Sequence, residues 1–420
     1  MIVSCLGVAA AVLALQFTQA EVKAGLFDQC NPCDEAAACD PCEQVSCGST
    51  GKWFVNGHVE SGFWANAHGQ RNAYDAATNG RHGFDNASAN TGLLQNVQNT
   101  GYQVNQVYVS AGKSVDGTHG WDLGGTVDFV WGTDARFVQS NGLERANGHD
   151  VEGWGTGDYY SAFAQAYFEA AYKKLNVKVG KFYAPFGSQP FKSTDSFFYS
   201  FAPTYGFVPA TAGGAYATYT VSDKLSVYGG WVQPDQFGET KDDNAFLGGV
   251  IVKANKKRTF HYAFAKGENH YAANSYDYFV NSLVLTTQET KRLRSVLDWS
   301  YSQTRVPGNT DTIWGLNNEW IYQYTDKLSF GLRLASVRGG GYPAYSITGV
   351  ADDAYAGIGE NTDWYTISAG WKYDANKWLT IRSEIRYDVV DGASAFNNGF
   401  EGNVPKDYQF SGGLSTIVKF

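Results

Sequence analysis

The sequence is poor in charged residues, in proline and in long apolar runs. Only 17% of its 420 residues are charged, and it contains 10 Pro and 1 Met. The only long apolar run, Cys5–Phe17, is too short and too early to be a membrane-spanning helix, and the mean hydropathy is −0.33. These features exclude a helical membrane protein. The net charge of −9 argues against a nucleic-acid partner.

Glycine and aromatic residues are abundant instead. The chain has 48 Gly, and Phe, Trp and Tyr make up 15% of its residues. Low charge together with many glycines and aromatics is unusual for a cytoplasmic enzyme. It is typical of a β-sheet wall that faces lipid on one side and carries aromatic girdles at both membrane interfaces.

The first 20 residues have the pattern of a secretory signal peptide. Leu6–Leu15 form an apolar core, and Thr18-Gln19-Ala20 is a small-residue cleavage site before Glu21. No Lys or Arg precedes the core, so either the signal is atypical or the assigned start lies too far downstream. We expect residues 1–20 to direct export.

Residues 21–51 form a periplasmic N-terminal segment without a strand period. Its cysteines are Cys30, Cys33, Cys39, Cys42 and Cys47. Two C-x2-C pairs can hold zinc or an iron–sulfur cluster, but the spacing between these pairs is shorter than in common zinc sites. Disulfides are the default in an exported segment, so we predict disulfides here, with one cysteine unpaired and no metal or other cofactor.

Residues 52–420 follow the period of β-strands. In the last stretch, Tyr408–Phe420, every second residue is mostly apolar and the residues between them are mostly polar. A tilted strand of about ten residues is long enough to cross a bilayer, and the pattern recurs about sixteen times. The candidate strands are residues 53–64, 102–113, 121–133, 158–173, 175–184, 213–222, 224–232, 244–253, 258–267, 275–287, 291–304, 311–324, 326–338, 362–374, 377–390 and 406–420.

The connections between these strands alternate between short and mostly longer ones. The short ones contain Asn, Asp, Ser and Lys, which are typical of hairpin turns, and all of them fall on one side of the sheet. Outer-membrane barrels show this asymmetry, whereas a soluble sandwich has no reason to sort its loops. We predict an all-β fold: a transmembrane, antiparallel up-and-down β-barrel of about 16 strands with long outer loops and short periplasmic turns.

Two motifs and the terminal residue resemble a known family. The motifs are Val179-Gly-Lys-Phe-Tyr-Ala-Pro-Phe-Gly187 and Trp378-Leu-Thr-Ile-Arg-Ser-Glu-Ile-Arg-Tyr-Asp388, and the chain ends on Phe420. From about Trp53 the sequence resembles the outer-membrane β-barrel porins of the porin-2, OmpL-like group. The resemblance implies a pore in the bacterial outer membrane, in contact with its lipid. It also implies that Phe420 acts as a signal for the barrel-assembly machinery.

One long connection, Pro185–Ala212, is the candidate constriction loop. It is rich in aromatic residues, and its only charges are Lys192 and Asp195. A loop this apolar has to pack against something. It either enters the lumen or packs against neighbouring outer loops or another subunit. The residues assigned to a constriction are Phe191, Lys192, Asp195, Phe197 and Tyr199.

The parity of the strands places several charged residues on the inner face of the wall. They are Arg294, Arg333, Arg382, Arg386, Asp298, Glu319 and Glu384. One hypothesis is that they form a net-basic strip that helps to set ion or solute preference. The alternative is that they are salt-bridged lumen residues that satisfy one another.

No catalytic motif is present in the sequence. G-x-S-x-G and H-E-x-x-H are absent, so we predict a chain that is not an enzyme. Asp352-Asp353 can bind calcium, although solvated loop acids are commoner. We predict an outer-membrane porin for passive diffusion of small hydrophilic solutes or ions. A plugged structural or adhesion barrel, and an outer-membrane hydrolase, are the alternatives, and association into a homotrimer is left open.

Overall fold

A computed structural model describes the greater part of the strand-rich region. The described residues are 52–68, 101–146, 149–150, 154–156, 159–234, 244–271, 274–306, 309–340, 362–392, 396–398 and 404–420. The predicted signal peptide, the five N-terminal cysteines and Asp352-Asp353 lie outside these ranges. No helix in the described ranges is long and apolar enough to cross a membrane.

The described residues form 21 strands. They are β1 Trp53–Asn66, β2 Gly101–Lys113, β3 Trp121–Gly132, β4 Arg145–Ala146, β5 His149–Asp150, β6 Gly155–Thr156, β7 Tyr159–Tyr172, β8 Leu175–Tyr183, β9 Thr211–Ser222, β10 Leu225–Pro234, β11 Ala245–Asn255, β12 Arg258–Tyr271, β13 Asn274–Gln288, β14 Leu293–Val306, β15 Asn309–Gln323, β16 Leu328–Gly340, β17 Thr362–Asn376, β18 Leu379–Asp391, β19 Phe396–Asn398, β20 Val404–Lys406 and β21 Tyr408–Lys419. Two 3₁₀ helices, Thr133–Val138 and Pro203–Phe207, lie between wall strands.

Sixteen of these strands form a closed antiparallel wall: β1–β3, β7–β18 and β21. Closure occurs where Val59 of β1 pairs with Val107 of β2 on one side and with Val418 of β21 on the other. The predicted barrel and its sixteen strands are therefore confirmed. The largest difference in a boundary is at β12, which continues to Tyr271 rather than ending at residue 267.

Short turns join the wall strands at one end of the barrel, as the sequence predicts. They comprise residues 173–174, 223–224, 256–257, 289–292, 324–327 and 377–378. The end of the chain lies at the same end of the barrel, because the Lys419 amide donates to the carbonyl oxygen of Trp378, which belongs to one of these turns. We call this the short-turn end.

Side chains alternate between the two faces of the wall. On β18, Arg382 and Arg386 are 2% and 1% exposed, whereas their neighbour Ile385 is 54% exposed. On β21, Phe410 and Leu414 are both 48% exposed, and the residues that follow them, Ser411 and Ser415, are buried. Successive residues of a strand point to opposite faces, so the apolar set faces out and the polar set faces in. This is the distribution expected of a wall in lipid.

Candidate functional site: a segment bound to the inner wall

The connection between β8 and β9, residues 184–210, is bound to the inner face of the wall, and we call it the inner segment. Its Phe186, Phe207 and Val208 share a buried apolar cluster with side chains of the wall. Its polar groups contact inward-facing residues on strands from β13 through β18 and on to β2. This path spans about half of the wall strands, so the inner segment crosses the interior of the barrel.

Three inward-facing arginines donate hydrogen bonds to backbone carbonyl oxygens of the inner segment. Arg382 Nη1 lies 2.7 Å from the Phe198 oxygen. Arg333 Nη1 lies 3.0 Å from the Ser200 oxygen, and Arg386 Nη1 lies 3.1 Å from the Phe201 oxygen. Guanidinium groups are strong donors of fixed geometry. Carbonyl groups that would otherwise be buried without partners are therefore satisfied by the wall.

Two inward-facing carboxylates accept hydrogen bonds from the same segment. The Ser200 amide and hydroxyl donate to Glu384 at 2.7 and 2.8 Å. The Ser188 amide, the Ser188 hydroxyl and the Thr204 hydroxyl donate to Asp298 at 2.9, 3.1 and 3.2 Å. Donors and acceptors of the wall are thus interspersed along the inner segment. This arrangement fixes its backbone in one register.

Each of the three arginines also has a carboxylate partner on the wall. Arg382 pairs with Glu60 of β1 across the closure of the barrel. Arg333 Nε lies 2.9 Å from Glu319, and Arg386 Nη2 lies 3.0 Å from Asp388. The arginines are 1–2% exposed, so their charges are compensated by wall carboxylates beneath the inner segment.

The Gln106 side chain connects three parts of the interior. Its Nε2 donates to Asp134 at 3.0 Å and to the Phe191 oxygen at 2.9 Å. Its Oε1 lies 3.0 Å from His58 Nε2 and accepts from the Ser193 amide at 3.2 Å. One amide therefore ties β1, the 3₁₀ helix after β3 and the inner segment together.

Asp134, which accepts the hydrogen bond from Gln106, has a shifted pKa. It lies in the 3₁₀ helix Thr133–Val138, outside the wall strands. Burial, with a further contribution from the nearby Glu60 carboxylate, raises the pKa of Asp134 to about 7. Its protonation state therefore changes near neutral pH.

Aromatic rings of the inner segment fit against glycines of the wall. A Cβ at Gly331 would overlap the Phe197 ring, and one at Gly413 would overlap the Trp64 ring and lie 2.8 Å from the Tyr199 ring. Tyr199 packs edge-on against Trp64 with ring centroids 5.5 Å apart. Only a residue without a side chain leaves room for these rings at both wall positions.

The structure places the residues predicted for the wall and the loop as follows. Arg333, Arg382, Arg386, Glu384 and Asp298 contact the inner segment, and Glu319 pairs with Arg333. Arg294 is half-buried and has the inward parity of Asp298, with no ion pair to another residue that the structure describes.

The predicted loop residues fall into a buried and a partly exposed group. Phe191, Phe197 and Tyr199 are buried. Lys192 Nζ lies 5.0 Å from the Tyr108 ring centroid and 3.7 Å from Asp128. Asp195 is exposed.

The sequence-based prediction missed further residues of the interior, among them Glu60, Lys372, Gln106 and Asp134. Glu60 and Lys372 have inward parity, which the polar–apolar alternation of their strands indicates. Lys372 Nζ donates to the Thr194 oxygen at 3.3 Å. Gln106 lies next to a register shift of β1 and β2, and Asp134 lies outside any strand, so no periodic signal identifies either of them.

Comparison with known proteins identifies the family. Residues 54–420 match the profile of the family described as beta-barrel porin-2, OmpL-like. A search of curated proteins finds no match.

The solved structures most similar in fold include three outer-membrane proteins. The anion-selective porin from Comamonas acidovorans is 10% identical with a TM-score of 0.57, and the match covers 88% of this chain and 99% of that chain. The outer membrane channel DcaP of Acinetobacter baumannii is 12% identical with a TM-score of 0.56, over 88% and 98% of the two chains. OmpT of Vibrio cholerae in its trimer form is 12% identical with a TM-score of 0.55, over 88% and 100%.

At these identities the structural matches show a shared barrel fold. The family match is independent of them and spans all sixteen wall strands except the first residue of β1. The chain therefore belongs to the beta-barrel porin-2, OmpL-like family of outer-membrane porins.

Proposed function

We propose that the protein is a passive channel for small hydrophilic solutes and ions, and that the inner segment narrows its bore. A closed wall of sixteen strands is too wide for its own side chains to fill. The inner segment crosses this space and leaves a narrower passage. The family and the fold point to a channel rather than an enzyme, and we assign the chain no catalytic step.

One observation supports the proposal that the inner segment forms a constriction: groups of the wall bind the backbone of the segment at several points. Arg382 binds the Phe198 oxygen, Glu384 binds the Ser200 amide, and Asp298 binds the Ser188 amide. A segment attached at both ends and at its middle cannot swing clear of the lumen without breaking buried charge-assisted bonds. Its position, and hence the width of the passage, is fixed.

The charged residues predicted to line the pore divide into two groups in this proposal. Arg333, Arg382 and Arg386 are compensated by carboxylates and act as anchors of the inner segment. Arg294 and Asp195 are the charges left to act on permeating ions, because Glu319 pairs with Arg333 and Lys192 lies 3.7 Å from Asp128. We infer that ion selectivity is weak and depends mainly on this second group.

Single-channel conductance of the refolded protein in a planar bilayer tests the proposal. With a salt gradient across the bilayer, we expect discrete ohmic steps and a reversal potential close to zero. Silence from a correctly folded, heat-modifiable barrel would mean that the inner segment closes the lumen and that the barrel is structural or adhesive. Neutral polymers of graded size, added to both sides, measure the width of the constriction.

We propose a homotrimer as the assembled state and the terminal aromatic as its assembly signal. Support for the trimer comes from the fold shared with OmpT, whose solved form is a trimer. Phe420 is exposed at the short-turn end, where the barrel-assembly machinery can reach it. Mass photometry of the detergent-extracted protein tests the trimer. Phe420→Ala should lower the amount of folded barrel in the outer membrane without changing refolding in detergent.

We also propose the division of the chain into an exported leader, a cysteine segment and the barrel. Residues 1–20 are the leader, residues 21–51 carry the disulfide candidates, and residues 52–420 are the barrel. Mass spectrometry of the mature protein under non-reducing conditions tests both assignments. A mass that matches a chain starting at Glu21 with two disulfides supports the leader and the disulfides. Five free thiols would contradict the disulfides.

A further inference from the structure

A groove opens on the outer face of the wall near the short-turn end. Residues of β12–β15 line it, and its volume is about 350 Å³. Its position is independent of the inner segment, which binds the opposite face of the wall. In the outer membrane this end of the barrel carries the short periplasmic turns, so the groove faces lipid near the periplasm.

The register of four strands explains the shape of the groove. Arg258 lies opposite Thr287, Thr287 opposite Ser295, and Ser295 opposite Trp320, so these four residues form one row across the wall. The two middle side chains are small and the two outer ones are large. The row is therefore low in the middle and bounded on both sides.

The chemistry of the groove changes in one direction, from the turns towards the centre of the membrane. Arg258 and Glu289 are charged and exposed at the rim. The hydroxyls of Thr287 and Ser295 follow. Leu285 and Leu297 then continue the groove into the apolar belt, with Asn318 at its side. This order of surfaces, from charged through hydrogen-bonding to apolar, matches the phosphate, ester groups and acyl chains of a glycerophospholipid.

Two polar groups in the groove lack partners on the protein. The Thr287 side chain is 6% exposed, and neither its hydroxyl nor the Asn318 amide makes a hydrogen bond to another residue in the described part of the chain. Both groups face the groove, where lipid offers no water to bond to, so a ligand that supplies a hydrogen-bond partner is favoured. Ester and phosphate oxygens are suitable acceptors for both groups.

The charges around the groove select the headgroup. The two turns that border it carry Lys256, Lys257, Lys291 and Arg292, all exposed, in addition to Arg258. Glu289 is the only acid in residues 255–258 and 289–292, and it accepts a hydrogen bond from Ser295 at 2.8 Å. Basic residues at a membrane interface attract anionic lipid, each by about 1 kcal/mol. The field at the rim is thus positive.

We propose that this groove binds one anionic glycerophospholipid of the periplasmic leaflet. The phosphate lies at Arg258, the ester region lies on the Thr287–Ser295 row, and an acyl chain follows Leu285 and Leu297. Trp320 closes the side of the groove at the interface, a position at which tryptophan is common. Binding of this lipid fixes β12–β15 in the membrane without affecting the lumen.

Native mass spectrometry of the refolded barrel with equimolar phosphatidylglycerol and phosphatidylcholine tests the proposal. We expect one phosphatidylglycerol per chain to remain bound after removal of detergent, in preference to phosphatidylcholine. Arg258→Gln should weaken phosphatidylglycerol binding about fivefold, the effect of one basic group at the surface. The double substitution Thr287→Leu and Ser295→Leu fills the groove with side chains that suit a lipid-facing wall and should abolish the retained lipid.

Lys224→Gln is the matched control, because Lys224 lies on a different short turn, between β9 and β10. It should leave the retained phosphatidylglycerol unchanged. Equal retention of the two lipids by the wild type would overturn the proposal. So would unchanged retention in both the groove-filling variant and Arg258→Gln. Single-channel conductance should be the same in all variants, which separates this test from that of the channel function.

Discussion

The Arg382 guanidinium donates a 2.7 Å hydrogen bond to the Phe198 carbonyl oxygen, across a sequence separation of 184 residues. The same side chain pairs with Glu60, so one arginine of β18 connects β18, β1 and the inner segment. The wall and the segment are thus held by shared side chains rather than by separate contacts. The stability of the barrel and the position of the segment are coupled for this reason.

Arg382→Met should lower the free energy of unfolding by about 3–5 kcal/mol, because it leaves the Glu60 carboxylate buried without a partner. Glu60→Gln together with Arg382→Met removes that charge and should recover part of the loss. Urea unfolding of the refolded barrel, followed by tryptophan fluorescence, gives the double-mutant cycle. Arg294→Gln is the control and should cost less than about 0.5 kcal/mol. Additive losses in the cycle would contradict the pairing.

Gly331→Ala should displace the Phe197 ring, since the new Cβ would overlap it. Overpacking of this kind typically costs about 1–3 kcal/mol. Phe197→Ala in the same chain creates room for the new methyl group and should restore most of the stability. The measurement is again the free energy of unfolding, for the two single variants and the double variant. A Gly331→Ala barrel as stable as the wild type would show that the ring does not rest on this wall position.

Asp134 should make the stability of the barrel depend on pH between about 4 and 7. Its pKa is raised from 3.8 to about 7 in the folded state, so the folded state binds the proton more tightly than the unfolded state. The stabilisation is therefore present below pH 4, falls as the pH rises and is lost above pH 7. Glu60, Arg136, Gln106 and Asn105 are the groups that act on this carboxyl.

Asp134→Asn removes this titration. Its stability advantage over the wild type should grow from pH 4 to pH 7 and stay constant above that, by an amount on the order of a few kcal/mol. Urea unfolding at pH 4.5, 6 and 8 gives the difference at each pH. A difference that does not vary with pH would mean that Asp134 titrates in the folded barrel as it does in water.

Lys181→Met should open the wall beside β7. Lys181 and Glu144 are a buried ion pair 3.0 Å apart, and Glu144 also accepts from the Phe163 and Ser140 amides. The pairing of β7 with β8 ends at Lys181, and the ion pair lies at that point. Loss of the lysine leaves the buried Glu144 carboxylate without its counter-charge and should cost about 3–5 kcal/mol. The rate of amide hydrogen exchange should rise at residues 159–163 and stay unchanged at β15. An equal increase in both places would contradict a local role.

The sequence alone predicts the strands of the wall but not the contacts in the interior of the barrel. Period-two alternation identifies which residues of β18 face inwards, so Arg382 and Arg386 could be assigned before the structure. The Glu60–Arg382 pair could not, because it joins strands 322 residues apart that meet only when the barrel closes. The path of the inner segment could not be predicted either. Its partners on the wall bind mostly backbone oxygens and amides, which leave no pattern in the side chains.

The conductance of a barrel with a loosened inner segment tests the central claim most directly. In Arg382→Gln with Arg386→Gln, the Phe198 and Phe201 oxygens lose their charged donors. Arg338→Gln is the control, because Arg338 lies on the outer face and is half-exposed. We predict a higher single-channel conductance, with added noise, in the double variant and no change in the control. Identical conductance and noise in a heat-modifiable double variant would contradict the claim that the inner segment sets the passage.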